Sequence, residues 1–178
     1  MERSLVGLMD FVTSKERGLL TPLGGHEGRV VWVDVHTGLG PFGMDTLASE
    51  KDMSPEEMSK WFPTAYRRLT PDSKNVGALD GYELVKGMLP TLVYETTKKT
   101  ALAITQEFGT LPGVLVARSL ILENMIHQFG DDDGRRTLGR PWLQAAFYPQ
   151  SSSWRSSIVQ RGVALALQSL DYIAAEDA

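Results

Sequence analysis

The sequence predicts an α/β protein, a three-layer α/β/α sandwich built on a mainly parallel sheet. Three observations carry that reading. Two near-continuous apolar runs, VVWVDV at residues 30–35 and ALAITQ at 101–106, stand well apart in the chain. Segments with helical apolar spacing follow them, and each run closes on a titratable residue, His36 and Glu107. Runs with so little alternation are strands covered on both faces, which is the situation of a parallel sheet between helices. The order strand, helix, strand, helix, helix then stacks helices above and below the sheet.

The elements follow in order. Leu5, Val6, Met9, Phe11 and Val12 lie close to helical spacing within residues 3–16, with Gly18 as the stop. The turn-rich LLTPLGGHEG delivers the chain into the first strand, and the glycine-rich TGLGPFG follows it. In MSPEEMSKWF, Ser54 stands three residues before Glu57 with Pro55 between them, a capping box opening a helix over 55–68. Residues 70–87 read as a long polar excursion. After the second strand, over 100–107, Leu115, Leu120, Ile121, Leu122, Met125, Ile126 and Phe129 outline a long helix closed by Gly130. DDDGRR reads as a solvated turn and 139–147 as a short apolar segment. A serine-capped terminal helix carries Ile158, Val159, Val163, Leu165, Leu167, Leu170 and Ile173. Met125, Trp142 and Trp154 are expected in the core.

Composition narrows the function. With 178 residues, 42% hydrophobic and 22% charged, the chain reads as a single domain over 1–178 that can bury a core. The net charge of −4 and scattered basic residues argue against nucleic acid as a partner. The absence of cysteine excludes disulfides, thiolate zinc sites and cysteine nucleophiles, leaving three histidines as nitrogen ligands. No secretory signal and no apolar run of membrane-spanning length is present, so a soluble, cytoplasmic protein with no membrane partner is expected.

In a parallel sheet, reactive groups gather beyond the carboxyl ends of the strands. His36 and Glu107 lie at such ends, and Asp34, two residues before His36, shares its face and can orient the imidazole. Gly38, Gly40 and Gly43 would let backbone come close to a metal or substrate. From the residues alone a structural reading is favoured, with Asp34 and His36 a hydrogen-bonded pair at a strand end and Glu107 a loop anchor. His26 reads as an exposed turn residue, and His127, late in a helix, as a residue favoured by the helix dipole.

WVDVHTGLGPFG resembles the strand and loop bearing the third zinc ligand in the carboxypeptidase A-like metallopeptidase clan, in particular an uncharacterised branch with Asp-x-His-Thr-Gly-Leu-Gly-Pro. AITQEFGTLP is similar to that branch's strand with the catalytic glutamate, and LILENMIHQFG and AFYPQSSSWRSSIVQRG to its C-terminal helices, so the likeness covers about residues 28–172. The resemblance implies a zinc-carboxypeptidase-like fold with a mixed sheet, His36 as a zinc ligand, Asp34 behind it, and Glu107 as general base toward a peptide or acylated amine. Tyr82 is placed by the same likeness as a substrate-binding tyrosine. The clan's earlier His-x-x-Glu ligands and its arginine have no counterpart here: HEGR at 26–29 sets Glu27 directly beside His26, and HQFG at 127–130 ends in glycine. The expectation is therefore an incomplete zinc site in the C-terminal part of the fold. It belongs either to a fragment or shortened hydrolase, or to a non-catalytic interaction domain that self-associates through an exposed sheet edge.

Overall fold

The structure, a computed structural model, is described over residues 30–49, 53–69, 89–96 and 101–175. The helix expected over 3–16, His26, Tyr82 and the polar excursion over 70–87 lie outside the described residues. Among the described residues the main elements are β1 (Val30–Gly38), β2 (Asp45–Ser49), α1 (Pro55–Trp61), β3 (Arg67–Leu69), α2 (Leu89–Thr96), β4 (Ala101–Gly109), α3 (Gly113–Phe129), α4 (Arg140–Phe147) and α5 (Ser152–Ala174). The architecture is mixed α/β, an open four-stranded sheet in the order β1-β4-β2-β3 with helices packed on it.

β1 and β4 are parallel over their whole length, from Val30 opposite Ala101 to Gly38 opposite Gly109. β2 runs antiparallel to β4 and parallel to β3, so the sheet is mixed. Side chains alternate across a strand, and the register therefore sorts the sheet into two faces. One carries Val31, Val33, Leu102, Ile104 and Leu47 against Met58 and Phe62 from the α1 region and Leu165 of α5. On the other, Val30 and Trp32 pack against Val93 of α2.

Local chemistry sets the ends of the elements. The Ser54 hydroxyl accepts from Glu57 N–H, and the Glu57 carboxylate accepts from Ser54 N–H, completing the capping box of α1. That helix stops at Trp61 rather than running to 68, because the residue before a proline avoids helical backbone and Pro63 follows Phe62. Residues 67–69 instead form the edge strand β3.

The DDDGRR segment is helical rather than a plain turn. Asp131 accepts from Gly134 N–H at 2.7 Å and starts a short helical turn, which passes through a π-helical turn at Arg135–Gly139 into α4. Trp154 is in the core as expected, fully buried, with its indole N–H donating to the carbonyl of Gly109 at 2.9 Å. Met125 and Trp142 are not; both are about half exposed.

The first sheet face also encloses a polar cluster. Asp45, 3% exposed, accepts from Arg161 at 2.7 Å, from Gln106 at 2.9 Å and from Tyr66 N–H at 3.2 Å. Three donors compensate the buried carboxylate and tie α5 to the start of β2. Removing the guanidinium strands a charge that has no access to water, which is strongly destabilising. Arg161→Ala is therefore expected to lower stability by about 3 kcal/mol in urea unfolding. An Asp45→Asn, Arg161→Ala double variant should lose less than the two single losses summed.

Candidate functional site

The second sheet face carries Trp32, Asp34 and His36 on β1 beside Ala103, Thr105 and Glu107 on β4. The parallel register sets His36 directly opposite Glu107 at the carboxyl ends of the two strands. The structure thus brings together three of the four residues singled out in the sequence, Asp34, His36 and Glu107. Tyr82, outside the described residues, is not placed.

The geometry is directional. His36 Nε2 lies 3.0 Å from Asp34 Oδ2, and His36 Nδ1 lies 3.8 Å from Glu107 Oε2. A carboxylate only accepts, so in the neutral imidazole the proton sits on Nε2 and the lone pair on Nδ1. The 3.8 Å separation is too long for a direct hydrogen bond. Nδ1 therefore faces Glu107 across a gap, and the His36 side chain is 41% exposed.

Glu107 is held more tightly. Its Oε1 accepts from Leu39 N–H at 2.9 Å, and its side chain is nearly buried. Burial raises its pKa above the ordinary 4.5, outweighing the Leu39 hydrogen bond and the charge of His36, which both act to lower it.

The loop from Gly38 to Gly43 explains the glycines. It folds over the end of β4, where Gly43 N–H donates to the Gly109 carbonyl and Gly109 N–H to the Met44 carbonyl. A Cβ on Gly109 would run into the carbonyl of Pro41 and the backbone of Gly40, so close backbone approach dictates glycine there. Gly38 has φ 147°, and a Cβ on it would stand 2.9 Å from the Phe147 ring and 3.6 Å from Glu107 Oε1. The glycines let the loop approach β4 and deliver Leu39 N–H to the carboxylate.

Sequence reasoning missed Leu39, Phe147 and Thr110, whose hydroxyl donates to the Gly38 carbonyl at 3.0 Å. Leu39 acts through its backbone, which no side-chain pattern reports. Phe147 and Thr110 reach the loop only through the tertiary fold.

Among the described residues, no group of three or more histidine, cysteine, aspartate or glutamate side chains is arranged to hold a metal ion. Asp34 and Glu107 flank opposite nitrogens of His36 and do not converge on one point. No helix among the described residues is long and apolar enough to cross a membrane.

Fold and site together define an α/β protein with an oriented imidazole and a buried carboxylate at the carboxyl ends of two adjacent parallel strands. The chain belongs to the family described as Protein of unknown function (DUF2817), whose model matches residues 17–161. No curated protein and no solved structure matches it.

Two expectations follow from the site. In the window above 4.5, where the unfolded-state glutamate has ionised, the native state still retains its proton. The native state then binds more protons than the unfolded one, so the stability held below that window is lost as pH rises through the raised value. Glu107→Gln keeps an acceptor for Leu39 N–H and removes the buried charge. Its melting temperature should exceed the parent's by a few degrees at pH 8, with the gap closing in acid below the ordinary glutamate range. Gly109→Ala should cost about 2–3 kcal/mol by overpacking and should weaken amide-exchange protection at Leu39 and Gly43.

Proposed function

We propose that the chain carries part of a carboxypeptidase-like, zinc-dependent amide hydrolase site, in a fold of that kind. The observation that supports this most directly is the pairing of His36 with Glu107, with Asp34 on the far nitrogen of the imidazole. A carboxylate behind a histidine fixes the tautomer and ring orientation of metal ligands. Here it leaves Nδ1 as the ligating atom.

The described residues fit one corner of such a centre. Nδ1 of His36 is one of the three protein ligands that a catalytic zinc ordinarily takes, and the others have to come from residues beyond the described set. When bound, zinc would polarise the scissile carbonyl and acidify a water. The chain's own residues do the proton chemistry. Glu107 Oε1 is engaged by Leu39 N–H, so Oε2, on the His36 side, is the atom that takes a proton from the attacking water and passes it to the leaving amine. Burial makes this carboxylate a stronger base than a solvated one. The substrate class is a small peptide or an acylated amine.

A second reading, a non-catalytic interaction domain, is favoured by one observation. β1 is the outer strand of the described sheet, with nine residues and β4 as its neighbour there. An outer strand of that length is a template for pairing with another chain.

Calorimetric zinc titration of the purified chain separates the two. His36→Ala should weaken zinc binding by more than ~10-fold, and Asp34→Asn by about 10-fold. Glu107→Gln should leave zinc binding in place while lowering amide hydrolysis by ~100-fold or more. Zinc stoichiometry and affinity unchanged in His36→Ala would sink the metal assignment.

A further inference from the structure

The outer face of α5 takes no part in the chemistry proposed above, and it exposes several large apolar side chains. The helix carries Trp154 and Leu165 inward to the core, yet Val159, Val163, Leu167 and Leu170 are each more than half exposed. A surface helix ordinarily pairs one apolar stripe with a polar opposite face, and a helix apolar on both sides is covered on both.

Five residues spaced four apart form a single ridge along this face: Arg155, Val159, Val163, Leu167 and Asp171. Rows of this spacing are the ridges through which helices most often pack. This row reads base, apolar, apolar, apolar, acid, and is complementary to its own reverse. A two-fold axis at Val163 sets Val159 against Leu167 of a second copy and Arg155 against that copy's Asp171, twice by symmetry.

The charges at the two ends have no opposite charge beside them among the described residues. Arg155 lies over the Tyr148 ring, 5.4 Å from its centroid, and bonds to the Gln150 side chain. Among the described residues the ion pairs of arginine are Arg135 with Asp132 and Arg161 with Asp45, and the imidazole of His36 lies near Asp34 and Glu107; Arg155 and Asp171 belong to none of these groups. A parallel crossing would oppose Arg155 to Arg155, so the charges select the antiparallel arrangement.

We propose that the α5 ridge is a homodimer interface, occupied by α5 of a second copy in antiparallel orientation. The surface is separate from the His36–Glu107 site and independent of the hydrolase reading. One helix pair about 35 Å long falls at the small end of specific interfaces, so the dimer is weak, with Kd on the order of 10 µM.

Sedimentation velocity on the purified chain, from well below to well above that concentration, tests it. The parent chain should pass from monomer to dimer. Val163→Glu should abolish the transition with an unchanged circular dichroism spectrum. Arg155→Glu and Asp171→Arg should each weaken the dimer about tenfold. An equimolar mixture of those two single variants should recover near-parental association, because each then meets the opposite charge in the other chain. A parent chain that stays monomeric throughout, a dimer that survives Val163→Glu, or a mixture no tighter than the single variants would each overturn the proposal.

Discussion

The register between β1 and β4 is the constraint on which the rest depends. Nine consecutive parallel pairs fix which side chain stands beside which, and a slip of one residue would turn every side chain of β1 to the other face. In the observed register Val31 and Val33 join the large core, Trp32 packs toward α2, and Asp34 and His36 come out beside Thr105 and Glu107. Burial of the apolar residues thus drives the alignment, and the site at the strand ends results from the same alignment.

The two faces of the sheet treat carboxylates differently. Asp45 is surrounded by the donors Arg161, Gln106 and Tyr66 N–H, and it fastens helix to sheet. Glu107 is nearly as buried but has one backbone donor, with an imidazole nitrogen out of hydrogen-bonding range. A satisfied carboxylate stabilises the fold, whereas an under-satisfied one with a raised pKa is kept at a cost in stability. That contrast singles out Glu107 as the chemically loaded group of the two.

The glycine-rich loop serves both ends. By crossing the end of β4 it exchanges two backbone hydrogen bonds with that strand and its flank, and it aims Leu39 N–H at the carboxylate. Trp154 reaches the same place from α5 through its bond to the Gly109 carbonyl. The end of β4 is thereby clamped from two directions while His36 stays open to solvent.

The sequence by itself determined the two long strands, the capping box at Ser54, the long helices α3 and α5, and the residues Asp34, His36 and Glu107 at the strand ends. Each rests on local signals: β-branched runs, a side-chain cap, apolar periodicity and alternation across a strand. Only the tertiary structure decided the rest. β2 and β3 are short and polar, and β2 holds its place because Asp45 meets Arg161, 116 residues later in the chain. Periodicity revealed that α3 is a helix but not which side is covered, and it marked 139–147 only as an apolar segment, so Met125 and Trp142, apolar and expected inside, stand exposed. The direction of the site was equally out of reach. That Asp34 takes Nε2 of His36, leaving Nδ1 toward Glu107, is a consequence of how two strands distant in sequence pair side by side.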